Sequence, residues 1–121
     1  MKKLLLIGAL LLCTLTYSQV TTFVRKYTYF VSQINGVKSE VQSTSVTAVF
    51  NENNENTIVV YINGNTHRYF QISKPEEGVT TSGVSYQTID AVREVDGTTI
   101  TVQLFENNLR LIFGGDYIEF L

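Results

Sequence analysis

The last third of the chain leaves little freedom in how it can fold. From Thr99 to Leu121, Ile100, Val102 and Leu104 alternate with polar residues, and Leu109, Leu111 and Phe113 repeat the alternation after Glu106-Asn107. Period-two patterning of this kind marks half-buried strands. Placing Phe105 opposite Asn108 aligns the two apolar rows, so that Leu104 meets Leu109, Val102 meets Leu111 and Ile100 meets Phe113. Gly114-Gly115 supplies the backbone freedom of a two-residue hairpin turn and leads into a third strand, Asp116 to Leu121. The same register sets Leu111 against Ile118, Leu109 against Phe120 and, on the opposite face, Arg110 against Glu119. A slip of one residue would turn every one of these side chains over, so one pairing satisfies both faces at once. This meander is the expected nucleus of the sheet.

The beginning of the chain reads differently. Lys2-Lys3 precede the apolar run Leu4 to Leu12, and small polar residues follow at Thr16-Tyr17-Ser18, the pattern of a signal peptide over residues 1–18. The run is shorter than the ~20 apolar residues of a membrane-spanning helix. Export to the periplasm or the medium is expected, with a single domain over residues 19–121. The alternative is an outer-membrane lipoprotein anchored through Cys13, the one cysteine, although Leu10-Leu11-Leu12 lacks the small residue expected just before it. Without Lys2 and Lys3 the nine basic residues fall to seven against eleven acidic ones, a net charge of −4. Only Arg25-Lys26 are adjacent cations, which argues against nucleic acid as a partner. A mature chain without cysteine must be held by its core.

Between these ends, turn signals divide the chain into strands. Asn35-Gly36 joins a strand from Val20 to Ile34 to another from Val37 to Phe50, with Ile34 opposite Val37 and Phe30 facing Val41. Farther from the turn both strands change apolar parity, which predicts a bulge or bend. Asn51 to Asn56 is a polar loop that does not fit a calcium-binding template. A three-residue loop, Asn63-Gly64-Asn65, is expected between the strands Thr57–Ile62 and Thr66–Ser73, because it gathers Ile58, Val60, Ile62, Phe70 and Ile72 on one face. Lys74 to Gly78 reads as a loop, followed by a long strand from Thr80 to Val95 with a bend at Gly83. Asp96-Gly97 is expected to pair Val95 with Thr98, Ile89 with Leu104 and Ala91 with Val102. The whole predicts a small all-β fold, an antiparallel up-and-down meander of about eight strands closing into a barrel, with a two-sheet sandwich as the alternative.

That plan resembles a lipocalin-type meander barrel in architecture. The lipocalin Gly-x-Trp signature is missing, since the chain has no Trp, and no functional residue is carried over. No nucleophile motif, metal site or cofactor site is indicated. His67 lacks a second histidine or cysteine to share a zinc ion, and Asp90, Glu94 and Asp96 do not form a paired-carboxylate site. Tyr27, Tyr29, Tyr61, Tyr69, Tyr86 and Tyr117 offer rings with hydrogen-bonding tips for a pocket or a glycan-binding face. With the three-residue loop, Val59, Tyr61, His67 and Tyr69 would stand together on the outer face of one hairpin and form the candidate interaction patch. The expected function is an exported, non-enzymatic binding module for a protein, a glycan or a small apolar ligand. The alternative is an envelope protein that self-associates through edge strands, with enzyme a distant third.

Overall fold

A computed structural model describes residues 21–52 and 56–121. The expected leader and Cys13 lie outside the described residues, as do positions 53–55 of the polar loop. Ten strands follow in order: β1 Phe23–Ile34, β2 Val37–Lys38, β3 Gln42–Phe50, β4 Thr57–Ile62, β5 Asn65–Gln71, β6 Glu76–Val79, β7 Ser85–Arg93, β8 Thr99–Phe105, β9 Leu109–Phe113 and β10 Asp116–Phe120. Eight of them close into an antiparallel barrel, with β10 returning to pair with β1, while β2 and β6 are additions. The expected barrel is the observed one.

The C-terminal meander adopts the register its side chains specify. Leu104 pairs with Leu109 and Val102 with Leu111, and then Leu111 with Ile118 and Leu109 with Phe120. Glu119 accepts two hydrogen bonds from Arg110, at 2.9 and 3.2 Å, and one from Asn108 at 2.8 Å on the outer face. Gly114 alone in its turn takes a positive φ, 63°, as a type II′ hairpin requires. Inward residues from all around the barrel make one core, including Val46, Ala48, Phe50, Ile58, Val60, Ile100, Val102, Leu109, Leu111 and Phe120.

The predicted bulge lies between Tyr27 and Tyr29, where β1 shifts register against β3. Phe30 pairs with Gln42, not Val41, because Ser39 to Val41 leave the ladder: the Ser39 N–H still reaches the Ser32 oxygen, and its hydroxyl accepts from the Ser32 N–H.

Three local expectations are corrected. The β4–β5 loop has two residues, with Asn63 at φ 49° and Gly64 at φ 87° and Ile62 paired with Asn65. Asn63 is fixed to β3 through its own N–H and its side-chain oxygen, both bonded to Ser45, and this local bonding outweighs the apolar pattern. Glu76 to Gly78, expected within the loop Lys74 to Gly78, belong with Val79 to β6 and pair with β7. The chain then turns at Thr80 to Val84, with Gly83 at φ 90°, so no single long strand runs from Thr80. The loop around Asp96-Gly97 is longer than two residues, closed by Arg93 N–H to Thr98 O, and the Asp96 carboxylate accepts the Thr98 N–H. Ile89 therefore meets Val102 and Ala91 meets Ile100. This shift of two residues keeps every side chain on its expected face.

Truncating Leu111, which is 2 % exposed in the centre of the core, to alanine is expected to cost about 2–5 kcal/mol in urea melts. Tyr27 gives a second test. Its hydroxyl is buried with no partner among the described residues, and burial, opposed by the Arg25 charge, raises its pKa above 10.0. The folded state therefore favours the neutral phenol, a contribution complete below pH 10.0 and lost as pH rises through the raised value. Tyr27→Phe removes both the orphaned hydroxyl and this ionisation. It is expected to gain about 1 kcal/mol at neutral pH and to move alkaline unfolding, followed by circular dichroism, to higher pH.

Candidate functional site

The two ends of the barrel are built differently. The tight turns at Asn35-Gly36, Asn63-Gly64, Asp96-Gly97 and Gly114-Gly115 all lie at one end, because successive strands alternate in direction. At that end Arg93 closes the interior. Its guanidinium lies 5.6 Å from the centre of the Phe113 ring, 3.5 Å from the Asp96 carboxylate and against the Tyr69 hydroxyl. The Thr98 N–H, ahead of the nearby Arg93 charge, holds the Asp96 carboxyl below its ordinary value. His67, paired with Val60, faces the interior at this same end.

The expected patch is thereby divided. Tyr69 is 2 % exposed within the core, while Tyr61 points outward with Thr47 and Thr66 as cross-strand neighbours. Val59 is on the outer face but fully buried, between Val49 and Arg68 of the neighbouring strands. Above it Arg68 bridges Glu52 and Glu94, at 3.5 and 3.3 Å. The two-residue turn is the cause: it moves each β5 residue one place along β4 and so reverses its face.

The opposite end is open, and a cleft of about 700 Å³ lies there. Its walls come from the start of β1, the end of β8 and the β6–β7 hairpin. Phe23 stacks on Phe50, with centroids 4.7 Å apart and planes 7° from parallel, which fixes the β1 wall. Across the cleft Tyr86 meets Phe105 edge to face at 5.0 Å, and Arg110 backs the Phe105 ring from the outer face at 5.8 Å. Such ring pairs hold their orientation as well as burying area. Arg25 pairs with Ala48 and so faces inward at the mouth; one guanidinium nitrogen donates to the Glu106 carbonyl oxygen at 3.0 Å, and the group lies 5.9 Å from the Phe23 ring centre. Among the described residues no ion pair involves Arg25, Glu77 or Glu106, the charged groups that line the cleft. Its guanidinium therefore keeps donors for a ligand's acceptor beside an aromatic wall.

Sequence patterning pointed to the tyrosines, Tyr86 among them, and to Arg25-Lys26 as the one basic pair. It missed Phe23, Leu104 and Phe105 as cleft residues. In an alternating strand the rim positions carry the same apolar signature as the core. Among the described residues no three His, Cys, Asp or Glu side chains come together to hold a metal.

Gly78 is shaped by this site. A Cβ there would lie 2.6 Å from the tip of the Tyr86 ring. Because that tip can swing away, Gly78→Ala is expected to cost less than about 1 kcal/mol yet to move Tyr86. The change should appear as altered near-ultraviolet circular dichroism and altered Tyr86 and Phe105 ring resonances.

Set against known proteins, no family model, no curated protein and no solved structure matches the chain.

Proposed function

We propose that the chain is an exported, non-enzymatic binding module whose ligand sits in the mouth cleft, with an apolar or aromatic body against Phe23, Leu104, Phe105 and Tyr86 and an acceptor group on Arg25. One observation carries this reading: a half-buried arginine without a carboxylate partner among the described residues converges with three aromatic rings on a cleft of about 700 Å³. Ligand sites are commonly concave, mostly apolar and equipped with a few fixed polar groups, within a size range that includes this volume. Export rests on the charged start and apolar run of the leader.

The test uses anilinonaphthalene sulfonate, which joins fused and single aromatic rings to one anionic acceptor. Folded protein is expected to bind one equivalent with enhanced fluorescence. Arg25→Gln and Phe23→Ala should each weaken binding about tenfold while the near-ultraviolet spectrum confirms an intact core. Tyr61→Ala, on the outer wall, should leave it unchanged. Absence of binding, or equal binding to all variants, would overturn the reading.

A further inference from the structure

The neighbours of β1 change along its length, and the change leaves backbone groups beside the cleft without a partner strand among the described residues. On one side β1 pairs with β3 from Phe23 to Phe30, with the bulge between Tyr27 and Tyr29, and on the other it meets β10 only from Phe30 to Gln33. Hydrogen-bond direction follows from β3. The Asn51 N–H donates to Thr57 and the Ser45 carbonyl accepts from Asn63, so odd-numbered β3 residues bond toward β4 and the even-numbered ones, Val46, Ala48 and Phe50, bond toward β1. Their partners Tyr27, Arg25 and Phe23 thus bond to β3, and Val24 and Lys26 direct their N–H and C=O groups the other way. Thr28 shares this orientation, and its N–H does find an acceptor, the Leu121 carbonyl oxygen at 3.0 Å. Among the described residues Leu121 is the last to bond to this edge. None of the described strands pairs with Val24 or Lys26 on that edge.

We infer that an extended peptide, alternately acidic and aromatic, adds there as a strand antiparallel to β1, continuing the line of β10 across the mouth. This rests on reading the cleft as a binding site and names the ligand class. Strand addition draws its affinity from main-chain hydrogen bonds and its selectivity from alternate side chains. Peptide residues opposite Lys26 and Val24 make the backbone bonds, while those opposite Arg25 and Phe23 point into the cleft. A carboxylate opposite Arg25 meets a guanidinium that has no ion pair among the described residues, and Lys26, equally without one, adds to the attraction. An aromatic ring opposite Phe23 reaches Leu104 and Phe105. Glu77 and Glu106 on the rim disfavour a second inward acid. The outer edge of β6 is four residues long and begins with Glu76-Glu77, features that discourage strand addition.

The experiment uses full-length mature protein and an acetylated, amidated pentapeptide with glutamate second, phenylalanine fourth and threonine elsewhere. In free protein the Val24 and Lys26 amides should exchange with solvent about a hundredfold faster than those of Arg25 and Tyr27, and saturating peptide should slow them to match. Methylating the central peptide nitrogen, which removes the bond to the Val24 carbonyl, should weaken binding about tenfold, as should Arg25→Gln. Equal affinity for the methylated peptide would overturn strand addition. Protection of Val24 and Lys26 that grows with protein concentration would assign the edge to a second copy and equally overturn it. Binding of anilinonaphthalene sulfonate without binding of peptide would remove this inference and leave the cleft reading intact. Failure of both probes would remove the two together.

Discussion

Closure of the barrel depends on the bulge at Thr28. A regular β1 would keep one face inward along all twelve residues, and its two halves could not serve both β3 and β10. The extra residue re-aims the strand: Phe23 and Tyr27 face inward beside Phe50 and Val46, while past the bulge Phe30 faces inward beside Phe120. Both Thr28 and Tyr29 N–H groups converge on the Leu121 oxygen, and the Leu121 N–H returns to Tyr29, so the bulge itself is the clasp of the seam. A bulge commonly adds twist and bend where a barrel turns a corner. The β1–β10 seam lies at and past this bulge.

How much of this was legible depended on what fixed each register. In the β8–β9–β10 meander, turn chemistry and both faces agree, and pairing follows from the residues alone. At the bulge the sequence showed the change of parity but not its place, since Thr28 carries no signal of its own. At Asn63-Gly64 two principles disagreed. The apolar rows favour a three-residue loop, whereas a type I′ turn and the Ser45 anchor favour two, and the turn prevails. A residue on the neighbouring strand β3, 18 positions earlier and invisible to any local window, decides that contest.

The outcome has a cost that the interior reveals. Phe70 and Ile72 are left 43 % and 58 % exposed, and His67 and Tyr69 turn inward in their place. A buried tyrosine needs a partner for its hydroxyl, and Arg93, itself drawn inward opposite Tyr69, supplies one. Arg93 in turn is held by Asp96 and lies over Phe113. The polar stopper at the turn end is thus a consequence of the two-residue turn. Polar groups in a low-dielectric interior are tolerated when they satisfy one another; here Asp96 meets the Arg93 guanidinium, while the Arg93 Nε is buried without a hydrogen-bond partner among the described residues.

With one end stoppered, the open end becomes the place where the interior meets solvent, and the strand lengths determine its shape. β7 outlasts β5 by the stretch that β6 covers, and β1 outlasts β10 by the stretch from Phe23 to Tyr27. Two walls therefore rise above the core on opposite flanks, and the space between them is the cleft. Phe23 and Leu104 face the interior there, whereas Tyr86 and Phe105, of opposite parity to the core residues Ile89 and Val102, line the cleft from the other face of their strands. Arg25 spans the gap, through the Glu106 carbonyl. A single side chain replaces a ladder of backbone bonds there, and the Val24 and Lys26 backbone groups on that side of β1 have no partner strand among the described residues.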